Sequence, residues 1–133
     1  MLKASVQEAL STITAAHPDW ALRVIPDGQG GAWIEAMQVA LEPPYAQPDT
    51  FLVFLLPFNL PGSDIYPMFL RADLSRLDGQ PLGEGFQPTQ LSWPGQPDAR
   101  PVVQVSRRTR GSAFTSQTAA QKVDKVLQWV QTR

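Results

Sequence analysis

A strand-length apolar run, interrupted by a proline-rich loop and followed by a second apolar run, constrains the fold of this chain most strongly. The first run is Thr50–Phe58, and the second is Met68–Leu74, which follows the loop Leu60-Pro61-Gly62 and the pair Tyr66-Pro67. A continuously apolar strand is typical of a sheet position that is covered on both faces. Neither run is long enough to span a bilayer. We therefore predict two sheet strands, at Phe51–Phe58 and Met68–Leu74, in a protein that does not contact a membrane.

The residues before these runs predict one helix and two further strands. Apolar residues recur at helical spacing over Leu2–Ala16, and Ser5 with Glu8 fits a capping box. The helix is expected to end before the next proline, because the residue preceding a proline avoids helical geometry. Alternating patterns flanked by turn residues predict strands at Trp20–Ile25 and Ala32–Leu41.

The periodicity is lost after the second apolar run. The segment Ser75–Pro101 is rich in proline and glycine and predicts a long irregular loop, and Pro101–Val105 fits a short extra strand. Thr118 with Gln121 predicts the capped start of a last helix. The 133 residues therefore predict a single α+β domain. Its predicted order is an N-terminal helix, a four-stranded antiparallel meander, a long irregular loop and a C-terminal helix.

Two residue counts limit the chemistry. The chain has no cysteine, which excludes disulfides, thiolate zinc sites and thiol nucleophiles. It has one histidine, His17, which we interpret as a helix-end residue rather than a metal ligand. We predict neither a metal site nor a cofactor.

The charge is unevenly distributed along the chain. Residues 99–133 contain seven Lys and Arg against one acid, whereas residues 1–98 contain four against eleven. The basic end is either a solvated face or a contact surface for an acidic partner. A net charge of −1 gives little long-range attraction for nucleic acid. No signal-peptide pattern begins the sequence, so we predict a soluble, cytoplasmic protein that does not bind nucleic acid.

The order of these segments and four motifs resemble the ubiquitin-conjugating (UBC, or E2-like) superfamily, in particular its small prokaryotic members in bacterial ubiquitin-like conjugation systems. The motifs are Phe51–Phe58, Leu60-Pro61-Gly62, Tyr66-Pro67 with Phe69, and Ser106-Arg107-Arg108 ahead of the last helix. The resemblance implies a UBC-like two-layer fold. It also implies a monomer that binds a ubiquitin-like protein, the E1-like activating enzyme of that protein, or both.

The chain departs from this family where the family's chemistry is concentrated. Family members form a thioester on a cysteine, and an Asn amide stabilises the oxyanion during transfer. This chain lacks cysteine, and its single Asn, Asn59, precedes the Tyr-Pro pair instead of following the fourth strand. We therefore predict no catalytic residue, and binding without thioester chemistry.

The predicted contact surface combines the Tyr-Pro pair, a loop tryptophan and the arginine-rich segment. Its residues are Tyr66, Pro67, Trp93, Arg107, Arg108 and Arg110. Arginine forks suit a carboxylate-bearing tail. Alternatively, these residues contact no partner: the Tyr-Pro pair stiffens a turn, and the arginines lie in a solvated loop.

Two other functions remain open from the sequence, so the chain is not assigned as an enzyme or a non-enzyme. In the first, a hydroxyl of Thr89, Ser92 or Ser106 accepts the partner as an oxyester, with His17 or Glu84 as the base. In the second, the chain is a small acidic secretion chaperone that dimerises through apolar surface and binds an unfolded effector segment.

Overall fold

Two helices and one antiparallel sheet of six strands form the part of the chain that the computed structural model describes, residues 1–94, 96–109 and 117–132. The elements in chain order are α1 (Ala4–Ala16), β1 (Ala21–Pro26), β2 (Ala32–Ala40), β3 (Asp49–Leu56), β4 (Met68–Arg71), β5 (Phe86–Trp93), β6 (Gln96–Val105) and α2 (Ala119–Gln131). The strands lie side by side in the order β1-β2-β3-β4-β6-β5. The predicted α+β class, with a helix at each end, is confirmed.

Helix α1 starts later than the sequence pattern indicates. Its N-cap is Lys3, whose side chain makes no capping hydrogen bond. The predicted capping box of Ser5 and Glu8 is therefore wrong, because both residues already lie within the first turns. The helix ends before Pro18 as expected, and it buries Val6, Ala9 and Ile13.

Helix α2 is capped as predicted. The Thr118 hydroxyl accepts a hydrogen bond from the Gln121 backbone N–H at 3.1 Å, and the Gln121 side chain accepts one from the Thr118 N–H at 2.8 Å. Apolar residues along one face of α2, including Val123, Val126 and Val130, are buried. This face packs into the main core.

The main core lies between the helices and one face of the sheet. The sheet contributes residues of β2, β3, β4 and β6 whose side chains are almost fully buried, among them Ile34, Phe54, Leu70 and Val103. Burial of these apolar side chains provides the dominant stabilisation of the two-layer arrangement.

The predicted long loop at Ser75–Pro101 is wrong over its second half, which forms β5 and most of β6. Its prolines concealed the strands, since proline lacks the N–H that a sheet uses. Pro88 lies on β5, the edge strand, where proline is tolerated. Pro101 lies just outside the four β6 residues, 102–105, that pair with β4. The sheet therefore has six strands, not four.

The face of the sheet opposite the helices carries a second apolar cluster. Val53, Phe69, Trp93 and Val102 are buried there, and no helix residue belongs to the cluster. Partly exposed apolar side chains surround them, namely Ile25, Trp33, Phe51 and Leu91. This face, which we call the open face, is shielded only by its own side chains within the described part of the chain.

Candidate functional site

Residues 106–109 leave β6 and run beside the loop that leads into β4. The Ser106 N–H donates to the Gly85 carbonyl at 2.9 Å. The Thr109 N–H donates to Asp64 Oδ2 at 2.8 Å. These two bonds fix both ends of the segment, although it has no regular secondary structure.

A buried lysine on α2 forms hydrogen bonds to the same segment. Lys122 Nζ donates to the Arg107 carbonyl at 2.7 Å, to the Thr109 hydroxyl at 3.1 Å and to Asp64 Oδ2 at 3.2 Å. The side chains of Lys122 and Asp64 are only 5% and 9% exposed. Burying two charges is tolerated here because they pair and because three acceptors surround the ammonium group.

Burial also affects the pKa of this lysine. Desolvation is the largest influence and lowers the pKa of Lys122 below its ordinary value of 10.5, while the charge of Asp64 and its hydrogen bond act in the opposite direction. The positive charges of Arg107 and Arg108 lower this pKa further. The neutral amine is therefore more accessible at Lys122 than at an exposed lysine.

Two arginine side chains project from this fixed backbone, and each is backed by an aromatic ring. The Arg107 guanidinium lies 4.9 Å from the ring centroid of Trp129, and the Arg108 guanidinium lies 4.0 Å from that of Tyr66. Both arginines are exposed. Stacking covers one face of each guanidinium and leaves its N–H edge available.

Gly85 and Phe86 position the Trp129 ring that supports Arg107. Gly85 has a φ of +91°, and a Cβ on this residue would come within 2.5 Å of the Trp129 ring. The Phe86 ring also packs against Trp129, with ring centroids 5.0 Å apart. Only glycine fits here without moving the tryptophan.

Neither arginine is neutralised by the described part of the chain. The ion pairs found in the described ranges involve His17, Arg23, Arg71, Arg76 and Lys122, but not Arg107 or Arg108. We call the two consecutive arginines and the rings on which they stack the arginine platform: Tyr66, Arg107, Arg108 and Trp129. Guanidinium N–H edges of this kind suit carboxylates and other anions.

The structure places the predicted contact residues in different environments. Arg108 stacks on Tyr66, whereas Arg107 stacks on Trp129. Pro67 follows Tyr66 through a cis peptide bond. Trp93 is not in a loop but is the last residue of β5 and is 3% exposed, so its ring has almost no surface for a partner to contact. Arg110 lies outside the described residues.

The hydroxyls and bases named from sequence are not paired with one another. His17 contacts Asp124 at 2.6 Å and stacks on Trp20 with ring centroids 3.6 Å apart, so it joins the end of α1 to α2. The Ser106 hydroxyl accepts from the Gln104 amide at 3.2 Å. Within the described ranges, none of these contacts brings a base to a hydroxyl.

Sequence reasoning missed the group that organises the site: Asp64, Thr109 and Lys122. One signal was available for Lys122, which lies four residues before Val126 and therefore on the apolar face of α2. A lysine on a buried face requires a partner. Nothing in the sequence identified Asp64 as that partner, because the two residues are 58 positions apart.

A cavity of about 230 Å³ adjoins the ion pair. It lies between α1, the loop before β4 and the start of α2, and its lining includes Glu8, Thr12, Ser63, Asp64 and Lys122. No group of three or more His, Asp or Glu side chains in the described ranges could hold a metal ion. None of the described helices combines the length and apolar character needed to cross a membrane.

Comparison with known proteins gives no relative for this chain: no family model, no curated protein and no solved structure matches it.

Proposed function

We propose that this protein is an E2-like domain of a bacterial ubiquitin-like conjugation system, which binds a ubiquitin-like protein or its activating enzyme without forming a thioester. The observation that carries the proposal is the arginine platform. Arg107 and Arg108 are held on Trp129 and Tyr66, and they have no acidic partner among the described residues. The ligand that fits them is the carboxylate of an extended protein tail.

The chemistry of guanidinium groups supports this ligand. An arginine fork can donate two parallel N–H bonds to one carboxylate, and such charge-assisted bonds are among the strongest in proteins. The platform is also prepared before binding, because Lys122 and Asp64 fix the backbone of residues 107–109. Binding therefore requires little ordering of the receptor.

The order of elements is compatible with the resemblance on which the family assignment rests. Helix α1 comes first, β1 to β4 are neighbours in chain order, and Tyr66-Pro67 immediately precedes β4. The hairpin of β5 and β6 extends the sheet beyond the predicted four strands. The absence of cysteine from the sequence rules out a thioester on this chain.

A carboxylate-specific binding measurement tests the proposal. The probes are peptides with a free C-terminal carboxylate and the same peptides with a C-terminal amide, measured by fluorescence anisotropy. We expect amidation to weaken binding on the order of 10- to 100-fold, the value of one charge-assisted bidentate contact. The variant Arg107→Gln/Arg108→Gln should bind both forms equally weakly, and Arg100→Gln on β6 is the matched control.

One observation favours a different function, the dimeric secretion chaperone. The open face presents the partly exposed side chains of Trp33, Phe51 and Leu91, which is the kind of apolar surface that such a dimer would bury. Light scattering during size-exclusion chromatography separates the two functions. A mass near the 14.7 kDa of one chain agrees with the E2-like proposal, whereas twice this mass favours the chaperone.

A further inference from the structure

The two outer edges of the sheet, on β1 and on β5, are not covered by any other described strand. An uncovered edge presents backbone N–H and C=O groups to solvent and can pair with an extended segment of another chain. In an antiparallel ladder, alternate residues of an edge strand direct these groups toward the neighbouring strand, and the residues between them direct theirs outward. A single ladder hydrogen bond therefore identifies the outward-facing residues of each edge.

A proline blocks the middle of the β5 edge. The Ser106 N–H donates to the Gly85 carbonyl at 2.9 Å, so Gly85 faces the β6 side of the hairpin, and Gln87 and Thr89 face β6 in the same way. Pro88 therefore lies at an outward-facing position, where its missing N–H removes a donor from the edge. Prolines at such positions hinder pairing with a further strand.

The β1 edge has no such block before its last residue. In the turn after β1, the Asp27 N–H donates to the Gly31 carbonyl at 3.1 Å, so the odd-numbered residues of β1 face β2. Leu22 and Val24 therefore direct their N–H and C=O groups outward, and Pro26 directs its carbonyl outward. The edge of β1 thus offers two donors and three acceptors to an added strand.

The side chains along this edge are apolar and incompletely covered. Val24 is 36% exposed. Leu22 and Ile25 are partly buried on opposite faces of the sheet, Leu22 against the main core and Ile25 in the cluster of the open face. Edge strands are commonly protected by charged side chains, and β1 carries one, Arg23. An added strand would cover the three apolar side chains as well as bond the backbone groups.

From these observations we infer that β1 is a docking edge for an extended segment of a partner protein, which adds to the sheet as a further antiparallel strand. The segment carries apolar residues opposite Leu22, Val24 and Ile25, and an acid opposite Arg23. The Arg23 side chain pairs with Glu35 at 3.4 Å and is still 60% exposed, so an acid on the added strand can reach it. The inference is independent of the arginine platform, because strand addition requires no terminal carboxylate.

A second copy of β1 fits this edge less well than a foreign segment. The two registers that pair most of β1 with itself about a two-fold axis are centred on Arg23 and on Val24. The first register places two arginines directly opposite each other, which is destabilising. The second places Pro26 opposite Leu22, so the outward carbonyl of Leu22 has no N–H to accept from.

The test uses the full chain and a capped peptide, acetyl-Thr-Ile-Val-Glu-Val-Thr-amide, whose first valine lies opposite Val24 in the antiparallel alignment. Binding is followed by ¹⁵N NMR and by amide hydrogen exchange. We expect the largest shifts and slowed exchange at the N–H groups of Leu22 and Val24. A peptide with lysine in place of glutamate should bind more weakly, because it places a like charge opposite Arg23.

Val24→Pro removes one outward donor without removing a bond to β2, and we expect it to weaken binding on the order of 10-fold. Val24→Thr keeps the N–H and the branched side chain, and as the matched control it should bind normally. If Val24→Pro does not fold, as judged by circular dichroism, a peptide that is N-methylated at its first valine decides instead. Its methyl group removes the donor to the Val24 carbonyl and should weaken binding similarly.

Equal binding by Val24→Pro and Val24→Thr, or by the methylated and unmodified peptides, would overturn the inference. Shifts confined to residues outside β1 would also overturn it, as would the absence of binding at about 1 mM peptide. A dimer of the free protein that Val24→Pro abolishes would place a second copy on the edge instead of a partner segment. None of these outcomes decides the proposed function, because the capped peptide lacks the C-terminal carboxylate that the arginine platform is proposed to bind.

Discussion

Replacing Lys122 with methionine tests whether the buried ion pair holds the arginine platform in place. The variant keeps an unbranched side chain of similar length but removes the ammonium group and its three hydrogen bonds, to Asp64, Arg107 and Thr109. Breaking a buried pair from one side typically costs about 3–5 kcal/mol, because the remaining charge stays buried. Asp64 keeps backbone N–H bonds from Ile65 and Thr109, both at 2.8 Å. These bonds place the expected loss at the lower end, about 3 kcal/mol.

The assay is equilibrium unfolding in urea. With a slope of about 2 kcal/mol per molar, this loss lowers the midpoint by about 1.5 M. Lys125→Met, an exposed lysine on the same helix, is the matched control and should change little. Adding Asp64→Asn to Lys122→Met removes the remaining buried charge and should recover part of the loss. A Lys122→Met midpoint within error of the Lys125→Met midpoint would refute the reasoning.

Three further predictions follow from the packing and the charges. Gly85→Ala should destabilise the fold by more than Gly79→Ala in thermal unfolding, because both positions have positive φ but only Gly85 faces the Trp129 ring; equal losses would contradict the close approach. Tyr45→Phe removes a buried hydroxyl bond to a backbone carbonyl of α2 and should cost about 1 kcal/mol in urea unfolding, and no change would show that the bond contributes nothing. Because burial lowers the pKa of Lys122 in the folded state, the unfolded chain binds that proton more tightly. The free energy of unfolding should therefore rise with pH between the folded pKa and 10.5, and Lys122→Met should flatten this rise.

The correctly predicted elements are those whose signals lie within their own residues. The capping pair of Thr118 and Gln121 and the apolar runs of β3 and β4 are local signals, and the structure has all three near the predicted positions. The hairpin of β5 and β6 was missed because its prolines mask the strand pattern. They are tolerated only because β5 is an edge and because β6 extends beyond β4, which is a property of the assembled sheet.

The candidate site was predictable only where short local motifs mark its residues. Tyr66, Arg107 and Arg108 form recognisable short motifs, and Arg108 stacks on Tyr66. Their aromatic support by Trp129 and the network of Lys122 depend on contacts across the fold, which no local pattern encodes. The burial of Trp93 likewise follows from its strand position, which the predicted loop concealed.

The most direct test of the central claim uses the four tryptophans of the chain as reporters of where a tail binds. Trp129 lies on the arginine platform, Trp20 at the end of α1, and Trp33 and Trp93 on the open face. The indole N–H signals are followed by ¹⁵N NMR during titration with a carboxylate-ended peptide and its amide. We predict that the carboxylate peptide shifts the Trp129 signal selectively and that the amide does not. Shifts at Trp33 or Trp93 with an unchanged Trp129 signal would contradict the account, because they would place the tail on the open face instead of the arginine platform.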